Sequence, residues 1–312
     1  MNKPVSLDNL KGRRIITPTL PKVKICIPYY GGLPSVCVYI TEEIIGRGIP
    51  GYSVDIVKKE STIIQFARNE MINEGLHHSQ YDVLFFLDSD MGFEFEEMGK
   101  RDSLGLCRPV SLIKKILDND LDICGGLYCQ RKAPHRPLVF KWSPFNYTAA
   151  WEHWFDYPEG GVHEVDGIAT GFLAIKSKVF RAFEEDNHKK EEILKAFKKE
   201  DISGLPPAVR DYLGIVKPTI YPPFWLDNTY NKLDDDYMKV GEDMYFCREA
   251  QRLGFKIHCD FSVQLGHETK KMITPQQYVH AYRAQLLAGR EVWAAGAAER
   301  IKEIEKEAAN VG

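Results

Sequence analysis

Short apolar runs alternate with amphipathic stretches along most of the chain. Apolar runs rich in β-branched residues predict buried strands, and apolar residues at helical spacing predict helices. The predicted strands are residues 22–30, 52–57, 81–87, 122–127, 137–142, two short strands within 162–175, and 255–259. Residues 263–267 predict a short strand or a turn. The predicted helices are residues 35–47, 62–77, 109–119 and 242–253. This alternation predicts an α/β fold with a central, mostly parallel sheet flanked by helices.

Four regions depart from this alternation. Residues 1–21 are polar and interrupted by prolines, which predicts a loose N-terminal arm. Residues 142–161 are rich in aromatics and proline and predict a loop over a site. Residues 184–237 begin with a highly charged helical stretch and predict an insertion, either a solvated helix or an acceptor-binding lid. Residues 271–312, with a capping pattern near their start, predict a C-terminal helical extension.

Composition narrows the class of protein further. The 312 residues include 41 basic and 44 acidic side chains, so the net charge of −3 gives no field that attracts nucleic acid or an anionic membrane. The N-terminus has no apolar segment of a secretory signal, and no stretch reaches the length of a membrane span. The seven cysteines are scattered without a CxxC pair, which predicts reduced, mostly buried thiols in a cytoplasmic protein.

Two aspartates, Asp88 and Asp90, directly follow the most apolar predicted strand, residues 81–87. In open α/β sheets, ligands bind beyond the carboxyl ends of the strands. Carboxylate and phosphate oxygens suit Mg²⁺ or Mn²⁺, and such a cation can bridge the protein to a diphosphate. Aspartate and serine also form ordinary polar turns, so the position after a buried strand is what favours a metal site.

A second acidic pair, Glu242 and Asp243, begins the predicted helix 242–253. Acidic residues at a helix N-terminus suit the helix dipole, but either carboxylate can also deprotonate an acceptor hydroxyl. His267 follows the last predicted strand and is either an ordinary polar residue or a metal ligand that favours Mn²⁺ over Mg²⁺. Arg68, on the helix before the aspartate pair, can reach a phosphate or a base, or serve as a structural ion-pair partner.

The order of these motifs resembles that of a known family. IPYY, ARNE, FFLDSDM, DGIATGF, GEDMYFC and LGH follow one another along residues 22–270. In this the chain is similar to the GT-A nucleotide-diphospho-sugar glycosyltransferases, especially the family-2-like enzymes of bacteria and phages. The resemblance implies a GT-A (Rossmann-like) catalytic domain over residues 22–270. It also implies a nucleotide-diphosphate sugar as co-substrate, Mn²⁺ or Mg²⁺ as cofactor, and a cytoplasmic place of action, inside the host cell for a phage-encoded member.

The resemblance also implies roles for individual residues. Donor binding falls to Pro28, Tyr29, Arg68, Asp88 and Gly171, and metal binding to Asp88, Asp90 and His267. Asp243, with Glu242 beside it, matches the general base of inverting members. A metal-binding histidine is common in retaining members, so both stereochemical outcomes remain open, with inversion favoured. The insertion at 184–237 matches no pattern of the family.

These features predict a metal-dependent hexosyltransferase that uses a UDP- or GDP-sugar and a hydroxyl acceptor. Two alternatives remain: a sugar-phosphate nucleotidyltransferase, disfavoured because the glycines after the first strand lack a basic neighbour, and a non-catalytic nucleotide-sugar or carbohydrate-binding protein. A glycan, a protein side chain and a modified DNA base are all candidate acceptors. An aromatic group can stack on a sugar or base, or form a small satellite core; its members are Tyr147, Trp151, Trp154, Phe155 and Tyr157.

Overall fold

The computed structural model describes residues 19–30, 33–61, 63–78, 80–93, 98–131, 135–142, 151–196, 223–224, 227–231 and 236–267. The predicted N-terminal arm lies almost wholly outside the described residues. The predicted C-terminal extension lies wholly outside them, as do Tyr147 and residues 197–222 of the predicted insertion.

The described chain alternates between strands and helices, as its apolar pattern predicts. The strands are β1 (Lys22–Tyr29), β2 (Ser53–Glu60), β3 (Val83–Leu87), β4 (Met91–Gly92), β5 (Ile123–Leu127), β6 (Val139–Trp142), β7 (Trp151–His153), β8 (Val162–Val165), β9 (Gly167–Ile168), β10 (Phe172–Lys176), β11 (Asp227–Asn231), β12 (Asp236–Val240), β13 (Ile257–Gln264) and β14 (Gly266–His267). The helices are α1 (Ser35–Arg47), α2 (Ile64–Asn73), α3 (Arg108–Asp118), α4 (Ser177–Ala196) and α5 (Glu242–Arg252).

Seven strands form the central sheet, in the order β2-β1-β3-β10-β5-β13-β8. β1 pairs in parallel with β2 and β3, and β5 pairs in parallel with β13. β10 lies antiparallel between β3 and β5, and β8 lies antiparallel at one edge. Five of the seven strands therefore run in one direction, which confirms the predicted α/β fold with a mostly parallel central sheet.

Both faces of this sheet are covered by helices. Leu84 and Phe86 of β3 face the cluster under α2, α4 and α5, whereas Phe85 and Leu87 face the cluster under α1 and α3. All four side chains are fully buried. A strand that is covered on both faces needs a continuous apolar run instead of an alternating one, which explains why β3 was evident in the sequence.

Several boundaries differ from the prediction, for local physical reasons. β2 continues to Glu60, because alternate side chains of this edge strand face solvent and tolerate charge. The helix predicted to end at 77 loses its α-helical pitch after Asn73 and finishes as a π-helical turn, Glu74–His78. Residues 162–176 carry three strands instead of two, since β9 joins a separate small sheet, β7-β6-β9.

The region predicted as an aromatic loop is partly strand and partly core. Trp151 lies in β7, which pairs with β6 and places its ring edge-on to Trp142 at 5.7 Å. Tyr157 stacks on Phe261 with 5.4 Å between ring centroids, and Trp154 meets the same ring edge-on. Tyr157 therefore belongs to the hydrophobic core, and Trp154 and Phe155 are partly buried and pack against it. Trp142 is exposed and is the more accessible aromatic side chain.

The charged stretch that begins the predicted insertion belongs to a helix anchored in the core. α4 starts at Ser177, and its first turns bury Val179, Phe180 and Phe183. The Phe183 ring stacks on Phe246 of α5 at 5.8 Å. The charged residues from 184 onward thus continue a helix whose first turns are already packed into the core.

None of the seven cysteines forms a disulfide bond and all are buried, in agreement with the predicted reduced, mostly buried thiols. Burial raises the pKa of Cys124, Cys129 and Cys247 to about 12, so these thiols stay protonated and unreactive at neutral pH. Within the described part of the chain, no helix is both long and apolar enough to cross a membrane.

Candidate active site at the carboxyl edge of the sheet

Three of the predicted site residues come from segments that follow β3 and β13, two strands of the central sheet with β10 and β5 between them. Asp88 and Asp90 follow β3 directly, and His267 is the last residue of β14. The short strands β4 and β14 pair antiparallel, with His267 opposite Met91. Because Met91 adjoins Asp90 in sequence, this pairing brings His267 beside Asp90.

Asp90 and His267 form a close polar pair. His267 Nε2 lies 3.4 Å from Asp90 Oδ2, and Arg131 Nη1 lies 3.0 Å from the same oxygen. His267 Nδ1 lies 2.8 Å from the carbonyl oxygen of Cys129. A carbonyl only accepts, so Nδ1 carries the hydrogen and Nε2 faces the carboxylate. A neutral Nε2 and a carboxylate oxygen are both acceptors, so this geometry requires a proton or a cation between them.

The Asp90 carboxylate is held in its charged form. Burial raises its pKa, but the hydrogen bond and charge of His267, together with Arg131, outweigh burial and leave the pKa below its usual value. A carboxylate that stays ionised beside a fixed imidazole is a suitable pair of ligands for a divalent cation.

Arg68 joins the two acidic motifs. Its Nη2 donates to both oxygens of Asp88 at 2.9 and 2.8 Å, and its Nη1 donates to Glu242 Oε1 and Asp243 Oδ1, each at 3.2 Å. The ring of Phe224 lies 5.4 Å from the guanidinium carbon. The Arg68 side chain is only 2% exposed. The sequence left two roles open for Arg68, and in this structure it is the ion-pair partner of three carboxylates, which makes it a positioning residue. Its contact with a donor stays a prediction.

Asp243 is the carboxylate whose pKa is shifted furthest towards neutrality. Its pKa is raised to about 6, because burial and the negative charge of Glu242 together outweigh the lowering effects of Arg68 and the Thr170 hydroxyl. The Thr170 hydroxyl donates to Asp243 Oδ1, the same oxygen that Arg68 contacts. Oδ1 is therefore fixed by two donors, and the side chain is 29% exposed, so an acceptor hydroxyl can reach this carboxylate.

Glu242 and Asp243 lie in the first turn of α5, where the helix dipole favours negative charge. The residue before the helix is Gly241, which has no side chain to cap it. Both carboxylates are directed to Arg68 instead of to the free backbone N–H groups of the helix. These two carboxylates therefore contribute to the ion pairs around Arg68 more than to capping of α5.

Gly171 supports the loop that carries Asp88. Its carbonyl oxygen accepts from Asp88 N at 2.8 Å, and its own N–H donates to Tyr128 Oη at 2.8 Å. A Cβ at this position would lie 2.6 Å from Tyr128 Oη and 3.1 Å from Met91 Cε. The absence of a side chain thus permits the close approach of three segments at the site.

Replacing Gly171 by alanine should therefore lower the free energy of unfolding by about 1–3 kcal/mol, the usual cost of overpacking. Urea denaturation of the purified variant measures the loss. Tyr128→Phe removes the nearest atom, so the two substitutions together should cost less than the sum of their separate costs. Strictly additive costs would contradict the steric explanation.

Pro28 and Tyr29 end β1, the strand beside β3. Pro28 is buried, whereas Tyr29 is partly exposed and its carbonyl oxygen accepts from Ser61 N at 3.0 Å. They lie one strand away from Asp88, at the same edge of the sheet. Their contact with a nucleotide base stays a prediction.

The predicted metal site of Asp88, Asp90 and His267 is not assembled as a three-ligand cluster. Across the described ranges, no group of three or more histidine, cysteine, aspartate or glutamate side chains is arranged to hold a metal ion. Arg68 donates to both oxygens of Asp88, so this carboxylate is engaged in an ion pair. Asp90 and His267 remain as a ligand pair that a substrate's oxygens would have to complete.

The site as a whole is negatively charged. Four carboxylates meet two guanidinium groups, which leaves a formal excess of two negative charges when the imidazole is neutral. An anionic substrate would be repelled by this excess. One divalent cation would cancel it, so the charge balance fits a cation that binds before or together with a diphosphate.

Three contributors were not singled out from the sequence. Arg131 pairs with Asp90, the carbonyl of Cys129 orients His267, and the hydroxyl of Thr170 bonds to Asp243. Arg131 lies four residues beyond the end of β5, so a survey of charged residues after every predicted strand would have found it. A backbone carbonyl carries no signal in the sequence.

Comparisons with known proteins add little to this geometry. No family model matches the chain, and no curated protein matches it. Among solved structures, the crystal structure of A197 from STIV matches with a TM-score of 0.40 and 15% identity, over 82% of this chain and 94% of that chain. A likeness of this strength carries no conclusion about activity, which rests on the site itself.

Proposed function

We propose that the protein is a metal-dependent glycosyltransferase with a GT-A fold, which moves a sugar from a UDP- or GDP-sugar to a hydroxyl acceptor. The observation that carries the proposal is the linkage of two acidic motifs at one edge of the sheet. Asp90 and His267 form one pair, and Asp243 belongs to a second group joined to Asp88 through Arg68. The first group suits a cation and a leaving diphosphate, and the second suits an attacking hydroxyl.

On the donor side, Asp90 Oδ2 and His267 Nε2 would hold a divalent cation. When bound, such a cation neutralises the charge that develops on the departing nucleoside diphosphate. Two acceptor atoms 3.4 Å apart, one of them an imidazole nitrogen fixed through its other nitrogen, support this assignment. The imidazole favours Mn²⁺ over Mg²⁺.

On the acceptor side, Asp243 would act as the general base. The acceptor oxygen bonds to the anomeric carbon while the bond from that carbon to the diphosphate oxygen breaks, and the hydroxyl proton passes to Asp243 Oδ2. This direct displacement inverts the anomeric centre. A pKa of about 6 leaves the carboxylate mostly deprotonated at neutral pH and still basic enough to accept a proton.

The test is to incubate the purified full chain with UDP-, GDP- and TDP-sugars and Mn²⁺, and to measure nucleoside diphosphate release with and without EDTA. Release from one donor that EDTA abolishes would support the proposal and identify the donor. Pyrophosphate release from a nucleoside triphosphate and a sugar phosphate would replace it with nucleotidyl transfer. Donor binding without turnover, across metals and acceptors, would indicate a binding protein.

Asp90→Ala and His267→Ala should each reduce Mn²⁺-dependent diphosphate release by at least about 10–100-fold, the loss typical of the partners that only orient metal ligands. The reason is that each removes one of the two protein ligands. His77→Ala is the matched control, because His77 is an exposed histidine that pairs with Glu184 of α4 and with none of the site residues named here. Full activity in both site variants would contradict the assignment of the metal site.

A further inference from the structure

We propose that Arg131 exchanges partners during donor binding: its guanidinium rests on Asp90 in the free protein and moves to the diphosphate of the donor when a cation takes Asp90. This inference rests on the proposed function and extends it, because it names the residue that binds the leaving group. It assigns to Arg131 two opposite effects, competition with the bare cation and support of the diphosphate.

Arg131 lies on a loop with an anchored base. Gln130 N donates to the carbonyl oxygen of Arg136 at 2.8 Å, and Cys129 and Pro137 form an antiparallel bridge. His135 Nδ1 lies 3.1 Å from the carbonyl oxygen of Gln130. The backbone next to Arg131 is therefore held by the same segment whose Cys129 carbonyl orients His267.

The Arg131 side chain has the freedom that Arg68 lacks. Its side chain is 54% exposed, against 2% for Arg68. A half-exposed ion pair contributes little to stability, so exchanging its carboxylate partner for another anion costs little. The guanidinium carries five N–H donors in a planar fork that matches a phosphate group with two parallel hydrogen bonds.

The competition follows from one shared atom. Arg131 Nη1 and His267 Nε2 both approach Asp90 Oδ2, at 3.0 and 3.4 Å. A cation that binds Oδ2 and Nε2 supplies the positive charge that Arg131 provides in its absence, and the two cations repel each other. The displaced guanidinium stays next to the site through its anchored loop, where an incoming diphosphate restores an anionic partner.

The experiment separates the two effects by measuring binding instead of turnover. Mn²⁺ alone is titrated into the wild type and Arg131→Ala, with free Mn²⁺ followed by electron paramagnetic resonance. Removal of the competing guanidinium should increase the affinity for Mn²⁺ about 2–5-fold, which corresponds to the free energy of a half-exposed ion pair. At saturating Mn²⁺, the affinity of the same variant for UDP or GDP should be lower by a factor of about 10 or more, which corresponds to the free energy of a hydrogen bond to a charged group.

The corresponding monophosphates, UMP and GMP, serve as internal controls, because they lack the second phosphate and should bind the variant and the wild type alike. Arg136→Ala is the matched protein control, since Arg136 is an exposed arginine of the same loop. Its affinities for Mn²⁺ and for the diphosphates should match those of the wild type.

Opposite changes in Mn²⁺ and diphosphate affinity would support the exchange. If Arg131→Ala weakens the binding of both Mn²⁺ and the diphosphate, Arg131 only maintains the geometry of Asp90. If the variant loses the same affinity for monophosphates as for diphosphates, Arg131 acts at the nucleoside. Either result overturns the inference. If the wild type binds Mn²⁺ and diphosphate and Arg131→Ala changes neither, this inference fails alone. If the wild type binds neither ligand, the proposed function fails with it.

Discussion

Asp243→Asn is expected to lower kcat for sugar transfer by roughly 10²–10⁴-fold, the usual contribution of a positioned general base. The asparagine amide has nearly the same shape but cannot accept the proton of the acceptor hydroxyl. Donor affinity should change little, because the cation pair of Asp90 and His267 belongs to a separate group of contacts. Steady-state kinetics with the donor identified by the nucleotide-sugar panel, together with binding of its nucleoside diphosphate, measures both quantities.

The pH dependence of the wild type should identify the same group. A general base works in its deprotonated form, so kcat should rise with pH through about 6, the raised pKa of Asp243, and level off above it. Asp243→Asn should lose this acidic limb. Thr170→Val removes a hydrogen bond that lowers the pKa of Asp243. The limb should therefore move to higher pH in that variant, which a merely structural role of Thr170 would not produce.

Glu242→Gln is the matched control, because its carboxylate lies on the same turn and also accepts from Arg68. A small loss in Glu242→Gln and a large one in Asp243→Asn would support the assignment. The reverse pattern would transfer the role of base to Glu242. If both Glu242→Gln and Asp243→Asn retain metal-dependent sugar transfer, neither carboxylate is the general base. That result would favour a retaining, front-face reaction.

Much of the fold was predictable because local signals agreed with the tertiary environment. α1 has the predicted limits, since Pro34 precedes it and Gly48, at a φ of 69°, ends it. β3 stood out because both of its faces are buried. β7 was missed because it has only three residues, Trp151–His153, and its assignment as a strand depends on pairing with β6, which the sequence of so short a segment does not reveal.

The candidate site divides in the same way. The position of Asp88 and Asp90 after a buried strand, and of Glu242 and Asp243 at the start of a helix, followed from short stretches of sequence. Arg68 is different, because its partners lie 20, 174 and 175 residues away. No local pattern distinguishes an arginine that contacts a phosphate from one enclosed by carboxylates, since the choice depends on how the sheet brings distant segments together.

Replacing Arg68 by leucine is expected to lower the free energy of unfolding by about 3–5 kcal/mol at neutral pH, the cost of removing one partner from a buried ion pair. Three carboxylates would then share a partly buried space without their common cation, although the leucine retains part of the contact with Phe224. Chemical denaturation of the full chain measures the loss. Arg252→Leu is the matched control, because Arg252 also contacts two carboxylates but is 35% exposed, so its loss should be smaller.

The loss in Arg68→Leu should also depend on pH with a definite sign. Burial already raises the pKa of Asp88 and Asp243 above their usual values, and Arg68 is the charge that opposes this rise. Acids with a raised folded-state pKa stabilise the fold at low pH and lose that contribution as pH rises through the folded pKa. Without Arg68 both pKa values rise further, so the deficit of the variant should be larger at pH 8 than at pH 5. A deficit that is equal at the two pH values would show that Arg68 stabilises the protein by packing, and that the three carboxylates do not depend on its charge.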